Sequence, residues 1–552
     1  MLPKPARRSA GGRRGIWAGG LRRAFLGLAL LAWPPWGEAG AAVIRADTVW
    51  QGIVELEADC TVAQEATLLV LPGTVVRVAR RWNEAEGRGV LLDIRGRLIA
   101  QGREDRPIFF TSAGGEPRAG DWAGIVFTRA GSRLSVLSHC TIEYADAAVQ
   151  GGASRVLLEH CRLRRNRAGL AAFEEFAARL VACEVAGNEK GLYIEGTSRA
   201  RVEQCRITDS TAAGVEVKHG AEPEILSSRI EGNGPAGIVC TLGAAPKIEG
   251  NVIRGHDRGI FVELMSHPLI RHNEIAGNET GIWAEKQVSP LVQRNIITGN
   301  GVGIYCNLAA RPRIEGNDIF GNRLFALVLG DNQSLAAERL LPSRLPGQQP
   351  RSGPLAGRLA PAPFDSLGAE GPVVDARGNW WGAAGSDELG AMAPEGNVSF
   401  FEDGADKPTV DFLGAGGERT GARYPRDRVA FVPWRESPAV GERRQAAPVP
   451  SVQGRLTFRG EPVAGARVYA FAAGSGAVTG EEVALSPPSG PDGSFSLHLA
   501  PGSYVVLARR TSSPFPAAET GPGDLVSPKQ TLSVETQRVS ALDLTLSGEE
   551  TP

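Results

Sequence analysis

A set of aromatic and polar residues has types and spacing suited to chemistry on one surface. Phe261, Trp283 and Tyr305 are aromatic, and each follows the one before by 22 residues. Two residues after each comes a polar partner: Glu263, Glu285 and Asn307. Tyr193, with Glu195 two residues on, gives the same phrase earlier in the chain. Aromatic rings offer contact area at low entropic cost, and neighbouring polar groups fix orientation. Such a set suits an extended sugar chain, with rings stacked on pyranose faces and carboxylates accepting hydroxyl hydrogen bonds. If the repeat makes Glu263 and Glu285 neighbours about 5 Å apart, they match the separation used by retaining glycosidases. They are therefore the candidate catalytic pair. A catalytic acid needs a raised pKa, however, and an open shelf desolvates carboxylates poorly. Binding is expected ahead of catalysis.

A second constellation is His139 with His160, each just before a cysteine. Two stacked imidazoles could bind copper or zinc. Adjacent surface histidines are commoner than metal sites, so no metal site is assigned and no cofactor is expected.

Only a regular scaffold can keep such columns in phase. From Cys140 to Asn322 the chain repeats one phrase nine times. Its aliphatic column is Ile142, Leu163, Val185, Ile207, Ile230, Ile253, Ile275, Ile297 and Ile319, spaced by 21 to 23 residues. A glycine column (Gly169, Gly191, Gly214, Gly237, Gly259, Gly281, Gly303) runs beside it. No helical period absorbs one-residue slips in this way, whereas turns between short strands do. Within each copy apolar residues fall at i and i+2, as in Ile260 and Val262, which is strand alternation. In Gly281-Ile282-Trp283-Ala284-Glu285, Ile282 and Ala284 face inward and Trp283 and Glu285 outward.

Two positions before each aliphatic stand Cys140, Cys161, Cys183, Cys205, Ser228, Asn251, Asn273, Asn295 and Asn317. We read one internal file that changes from thiols to amides. Asn166, Asn188, Asn233, Asn278, Asn300 and Asn322 suit left-handed turns and amide stacking. The glycines suit either positive φ or close approach of the next rung. The chain has seven cysteines. Parallel side chains in one file do not favour disulfide geometry, so buried free thiols are expected.

These repeats resemble the right-handed parallel β-helix family, the pectin-lyase-like fold. The fold class expected is all-β: a right-handed parallel β-helix solenoid over 43–412, followed by a small β-sandwich. Residues 43–135 read as opening coils, and 331–372 as an insertion loop without period. The return, Gly378-Asn379-Trp380-Trp381-Gly382, matches closing coils of the family, and its tryptophans suit either sealing the core, the commoner role, or stacking on sugar. Residues 413–450 read as a linker. Residues 451–548 resemble the carboxypeptidase regulatory-like (transthyretin-like) sandwich, which implies a non-catalytic accessory module. It reads as a separate small domain, and a chain ending near Pro448 is expected to keep the solenoid folded, because the linker shares few contacts with it.

Residues 1–42 hold paired arginines, a short apolar run and Ala39-Gly40-Ala41, and read as a signal peptide. The run is shorter than a membrane span. Export to the periplasm, outer surface or exterior follows, with no transmembrane segment in the mature chain. Lysine plus arginine number 60 against 61 acids, a formal charge of −1, so no nucleic-acid partner is expected. The partner expected is a polysaccharide or cell-surface glycan. The oligomeric state is left open.

The resemblance also implies what to look for in an enzyme. Pectate lyases of this fold need clustered calcium carboxylates with an arginine base, and no such group is found. Its glycosidases use aspartates with a Gly-His-Gly turn, from which Gly255-His256-Asp257 departs at the third residue. The Asp-Pro-His-Asp phrase of alginate epimerases is absent. Three functions follow: a glycan-binding envelope protein without clear catalytic residues, a polysaccharide lyase or glycoside hydrolase, or a periplasmic metal-handling accessory protein of the NosD type.

Overall fold

The computed structural model describes residues 41–330, apart from Ala85. It also describes parts of 373–547, namely 373–392, 397–403, 406, 412–413, 419–420, 428–440, 451–473, 482–511, 513, 515, 524–534 and 540–547. The expected signal peptide lies outside these residues except at its last two positions, and the insertion loop 331–372 lies wholly outside.

The chain winds as a parallel β-solenoid of three sheets. Sheet A has 14 strands from Ala42–Ile44 to Phe401–Glu402, and sheet B has 14 from Thr48–Trp50 to Arg428–Ala430. Sheet C has 12 strands, from Ile53–Leu56 to Asp318–Phe320. Each strand pairs in parallel with its counterpart one rung on, and the aliphatic column is in register: Ile253 with Ile275, Ile275 with Ile297, Ile297 with Ile319. All four are fully buried. Inward aliphatics at every rung fuse into one core running the length of the coil.

The internal file of small polar residues is a hydrogen-bonded ladder. Asn295 Nδ2 donates to Asn317 Oδ1 (2.9 Å) and to Ile270 O (2.9 Å), while its Oδ1 accepts from the amide and side chain of Asn273. Asn251, Asn273, Asn317 and Asn379 repeat the pattern. These amides satisfy the buried backbone at the turn between sheets B and C, where no neighbouring strand can. Towards the N-terminal end thiols replace them. All seven cysteines are buried and free, and burial, with Asp59 adding, pushes the Cys60 thiol up to about 12.

The second asparagine column does the same at the turn before sheet A, through Asn166–Asn188 and Asn278–Asn300–Asn322. These asparagines are not in the left-handed region. Glycines just before them are, such as Gly277 (φ 65°) and Gly299 (φ 65°). Of the two roles open to the glycine column, close approach is the one realised. A Cβ on Gly281 would sit 2.6 Å from Gly303 O, and on Gly191 2.1 Å from Gly214 O.

The C-terminal end is closed by a helix, Gly382–Ala391, and an aromatic cluster. Trp381 is 4% exposed and meets Phe401 edge-on at 4.7 Å, and Trp380 packs on Phe320 at 5.2 Å. The expected linker is partly solenoid: Arg428–Ala430 pairs with Val373–Asp375 as the last strand of sheet B.

Beyond it lie two small sheets, the first mixed and the second antiparallel. One holds Ser451–Phe458, Glu461–Pro462 and Ser494–His498; the other holds Arg467–Ala472, Glu482–Leu485, Gly502–Arg510 and Gln530–Val534. They do not stand apart, contrary to expectation. Outward residues of sheet B (Leu69, Ile99, Val136, Leu157, Val181) form one cluster with the sandwich residues Leu485, Leu497 and Leu499. Arg97 Nη2 meets Glu482 at 2.9 Å, Gln101 Nε2 donates to Leu485 O (3.3 Å), and Arg467 donates to Gln101 Oε1. Burial lowers the Arg467 pKa to about 10 and raises that of Glu482. Apolar area on both partners explains the docking: a bare file of aliphatics on sheet B is removed from water at about 25 cal/mol per Å².

Candidate ligand-binding face

The candidate residues all lie on the outer face of sheet A. Its outward column reads Gln150, Ala171, Tyr193, Glu216, Val239, Phe261, Trp283, Tyr305 in unbroken register. Phe261, Trp283 and Tyr305 are thus consecutive. Tyr193 stands three rungs before Phe261, with Glu216 and Val239 between.

The rings are stacked along the solenoid axis. The Trp283 and Tyr305 centroids are 4.2 Å apart at 39°, closer than one rung. The Arg258 guanidinium lies 4.4 Å from the Trp283 ring and 4.5 Å from Phe261. Cation–π contact of this kind contributes about 0.5–1 kcal/mol at exposed sites. The Trp283 ring is therefore engaged by both Tyr305 and the Arg258 guanidinium. These contacts compete with the expected stacking of a pyranose face on Trp283.

The carboxylates are likewise engaged. Lys286 Nζ bridges Glu263 (2.7 Å) and Glu285 (3.0 Å), and both contacts raise its pKa. Thr241 Oγ1 donates to Glu263 (3.2 Å) and Trp283 Nε1 to Glu285 (2.9 Å). The asparagine in the next rung, Asn307, caps its own turn by accepting from the Leu308 amide (2.9 Å). One ammonium thus occupies both carboxylates. The arrangement can hydrogen-bond a ligand through the carboxylate oxygens.

Tyr193 forms a different neighbourhood. Its ring lies 5.8 Å from that of Phe173, with Lys190 Nζ 4.8 Å and Lys218 Nζ 5.5 Å from its centroid. Its hydroxyl donates to Glu195, and burial with that contact raises its pKa to about 12. Small residues in the neighbouring rungs, Ala147, Ala168 and Ala171, leave a trough of about 300 Å³ walled by Phe173, Tyr193 and Arg167. Phe173 is 36% exposed. A second hollow of about 460 Å³ continues from Arg167 to Trp82 and Arg118. The sequence reading missed Phe173; its signal was an aromatic beside a run of alanines at outward positions.

His139 and His160 do stack, with ring centroids 5.0 Å apart at 11°. His498 of the sandwich meets His160 edge-on at 5.4 Å, and its Nδ1 lies 3.6 Å from Glu159 Oε1. Burial, and the neighbouring His160, lower the His139 pKa. Among the described residues no group of three or more His, Cys, Asp or Glu side chains could hold a metal ion. His256, of the Gly255-His256-Asp257 turn, is 4% exposed and belongs to the second ladder. Among the described residues no helix is long and apolar enough to cross a membrane.

No curated protein matches the sequence. Among solved structures, the chain resembles the A-module of the Azotobacter vinelandii mannuronan C-5 epimerase at 13% identity. That likeness covers 49% of this chain and 84% of the module, with a TM-score of 0.39. It resembles a periplasmic alginate epimerase at 11% identity, over 53% of this chain and 76% of the other, with a TM-score of 0.37. The tailspike protein 3 of bacteriophage CBA120 matches at 12% identity, over 51% and 52% of the two chains, with a TM-score of 0.24. Likenesses this weak carry no functional argument. In sequence, a model of the family described as periplasmic copper-binding protein (NosD) matches residues 151–333, so the central rungs of the solenoid are NosD-like.

Proposed function

We propose that the protein is an exported, non-catalytic binder of polysaccharide or surface glycan, acting in the cell envelope or exterior, with sheet A as its binding face. The observation that carries this reading is the trough at Phe173 and Tyr193. It joins an exposed aromatic wall to polar groups (Arg167, Lys190, Gln150, Asp146), and its volume of about 300 Å³ suits one sugar ring. The ring-and-carboxylate shelf from Phe261 to Asn307 lies in the same column, so an extended chain seated at Tyr193 would run along it. The periplasmic name of the family matched by the central rungs is consistent with export. The small sheets after the solenoid fit a carboxypeptidase regulatory-like accessory module, here docked on sheet B.

A lyase or hydrolase reading has less support, because Lys286 occupies both candidate carboxylates. Metal handling, suggested by the copper-binding family name, would rest on His139 and His160 alone.

The test is affinity electrophoresis through gels containing one polysaccharide each, with wild type, Tyr193→Ala, Phe173→Ala and Trp283→Ala. Retardation by at least one glycan is expected, weakened about fivefold by Tyr193→Ala and Phe173→Ala, each costing about 1 kcal/mol of aromatic contact. A smaller loss is expected for Trp283→Ala. Equal retardation of wild type, Tyr193→Ala and Phe173→Ala would sink the assignment of the trough.

A further inference from the structure

A second groove lies on another face of the solenoid, at the turn between sheets B and C. Its floor is two adjacent columns over three rungs: Arg271, Gln293 and Glu315 at the strands, then His272, Arg294 and Gly316 at the turn. Arg435, Ala439 and Val440 form the far wall, enclosing about 650 Å³, within the range of small-ligand sites.

The wall is fixed in place. Asp318, 3% exposed, accepts the Ala439 amide (2.6 Å) and the Val440 amide (3.2 Å) on its two carboxylate oxygens. The Arg435 amide donates to Asn379 O (2.9 Å), at the end of the asparagine ladder. The floor is equally rigid, because each residue sits in a paired strand or a repeated turn. A site built on such elements is preorganised.

Its charge is unusual for this molecule. Arginines on the solenoid surface regularly meet an acid from the same or the next rung: Arg229 with Glu231, Arg254 with Glu274, Arg271 with Glu249, Arg313 with Glu315. Arg294 and Arg435 make no side-chain ion pair among the described residues, and both face this groove. The acid in its lining, Glu315, is already held by Arg313 and Gln293. Two guanidinium groups without an ion-pair partner among the described residues leave positive potential in a concavity. Guanidinium forks favour carboxylate, sulfate and phosphate oxygens.

We propose that this groove binds an acidic sugar of mono- or disaccharide size, its carboxylate, sulfate or phosphate held by Arg294 and Arg435. Gln293 and His272 line the space where sugar hydroxyls would fall. The site is independent of sheet A.

Calorimetric titration of the full-length protein with galacturonate, glucose 6-sulfate, glucose 6-phosphate, inorganic phosphate and glucose tests the proposal. Wild type, Arg294→Gln, Arg435→Gln, the double variant and Tyr193→Ala would be compared. At least one acidic sugar is expected to bind, with glucose silent. Each glutamine should weaken binding about tenfold, the effect of one lost charge-assisted hydrogen bond. Raised salt should weaken it further, and Tyr193→Ala should leave it unchanged. Thermal melts of the variants at wild-type midpoints would confirm that folding is intact, as both arginines are exposed. The proposal is overturned by no heat from any acidic sugar at millimolar concentration, by glucose binding equally well, by inorganic phosphate binding as tightly as the sugars, or by a double variant that keeps its affinity. A loss with Tyr193→Ala alone would place the ligand on sheet A instead.

Discussion

His256 stands in an asparagine's place beside Asn278. Its Nδ1 lies 3.1 Å from Asn278 Oδ1, and its Nε2 lies 3.3 Å from Asn233 Nδ2. The ladder fixes the tautomer: Nδ1–H donates to Asn278 and Nε2 accepts from Asn233. Both jobs require a neutral ring, and burial lowers the pKa from its ordinary value of 6.5.

That gives a pH dependence. The unfolded chain takes up a proton on this histidine near 6.5 while the folded one resists it, so stability falls as pH drops below that value. His139 acts with the same sign. His256→Asn, which can continue the ladder, should keep stability at about pH 7.5 and shrink the loss between about pH 6.5 and about pH 5. Urea midpoints at the two ends measure this. An unchanged slope would mean that His256 is protonated in the fold.

The ladder itself should be costly to break. Asn295→Leu takes the side-chain partners from the Asn273 amide and from Ile270 O in the core, and leaves Asn317 Oδ1 with only the backbone amide of residue 295. A loss of about 3 kcal/mol or more is expected, from at least two buried polar groups at about 1–3 kcal/mol each. Thermal melting followed by circular dichroism would check it. Ser228 already interrupts the file, so Ser228→Asn offers the converse: a neutral or stabilising change, provided Cys205 and Asn251 keep their amide contacts.

Catalysis by the shelf is expected to be absent. Reducing-end and unsaturated-product assays over a polysaccharide panel should give no turnover for wild type, and Glu263→Gln should change nothing. Turnover that disappears in Glu263→Gln would reinstate the enzyme reading.

Removal of the sandwich should not be silent. Truncation before Ser451 bares Leu69, Ile99, Val136, Leu157 and Val181 and takes Glu482 from Arg97. The truncated chain should bind a hydrophobic dye and self-associate, since contiguous apolar patches of this kind are adhesive. A monomeric, dye-silent truncation would show that the docking contributes little.

The columns in the sequence reveal the coil because every rung repeats the same inward demand. The aliphatic file, the thiol-to-amide file and the in-register aromatics all follow from period alone. Two things do not. Register says which residues are neighbours but not how their side chains turn, so the tilted stacking of Trp283 on Tyr305 and the clasp of Lys286 were hidden. The docking of the sandwich was hidden by its sequence distance, yet it left a mark. Leu68-Leu69-Val70, Leu98-Ile99-Ala100 and Val156-Leu157-Leu158 are apolar without alternation, as strands covered on both faces are.

The bond between Arg97 and Glu482 joins positions 385 residues apart. At about 5–20 residues per second of synthesis, the early strands wait about 20 s or longer for the strands that cover them. A solenoid otherwise grows by adding each rung to the last, and its contacts are local. Here the first rungs are left with a greasy flank until the final part of the chain arrives. Maturation of the molecule is therefore timed by its C-terminal end, and any cut that releases that end returns the early rungs to their half-made condition.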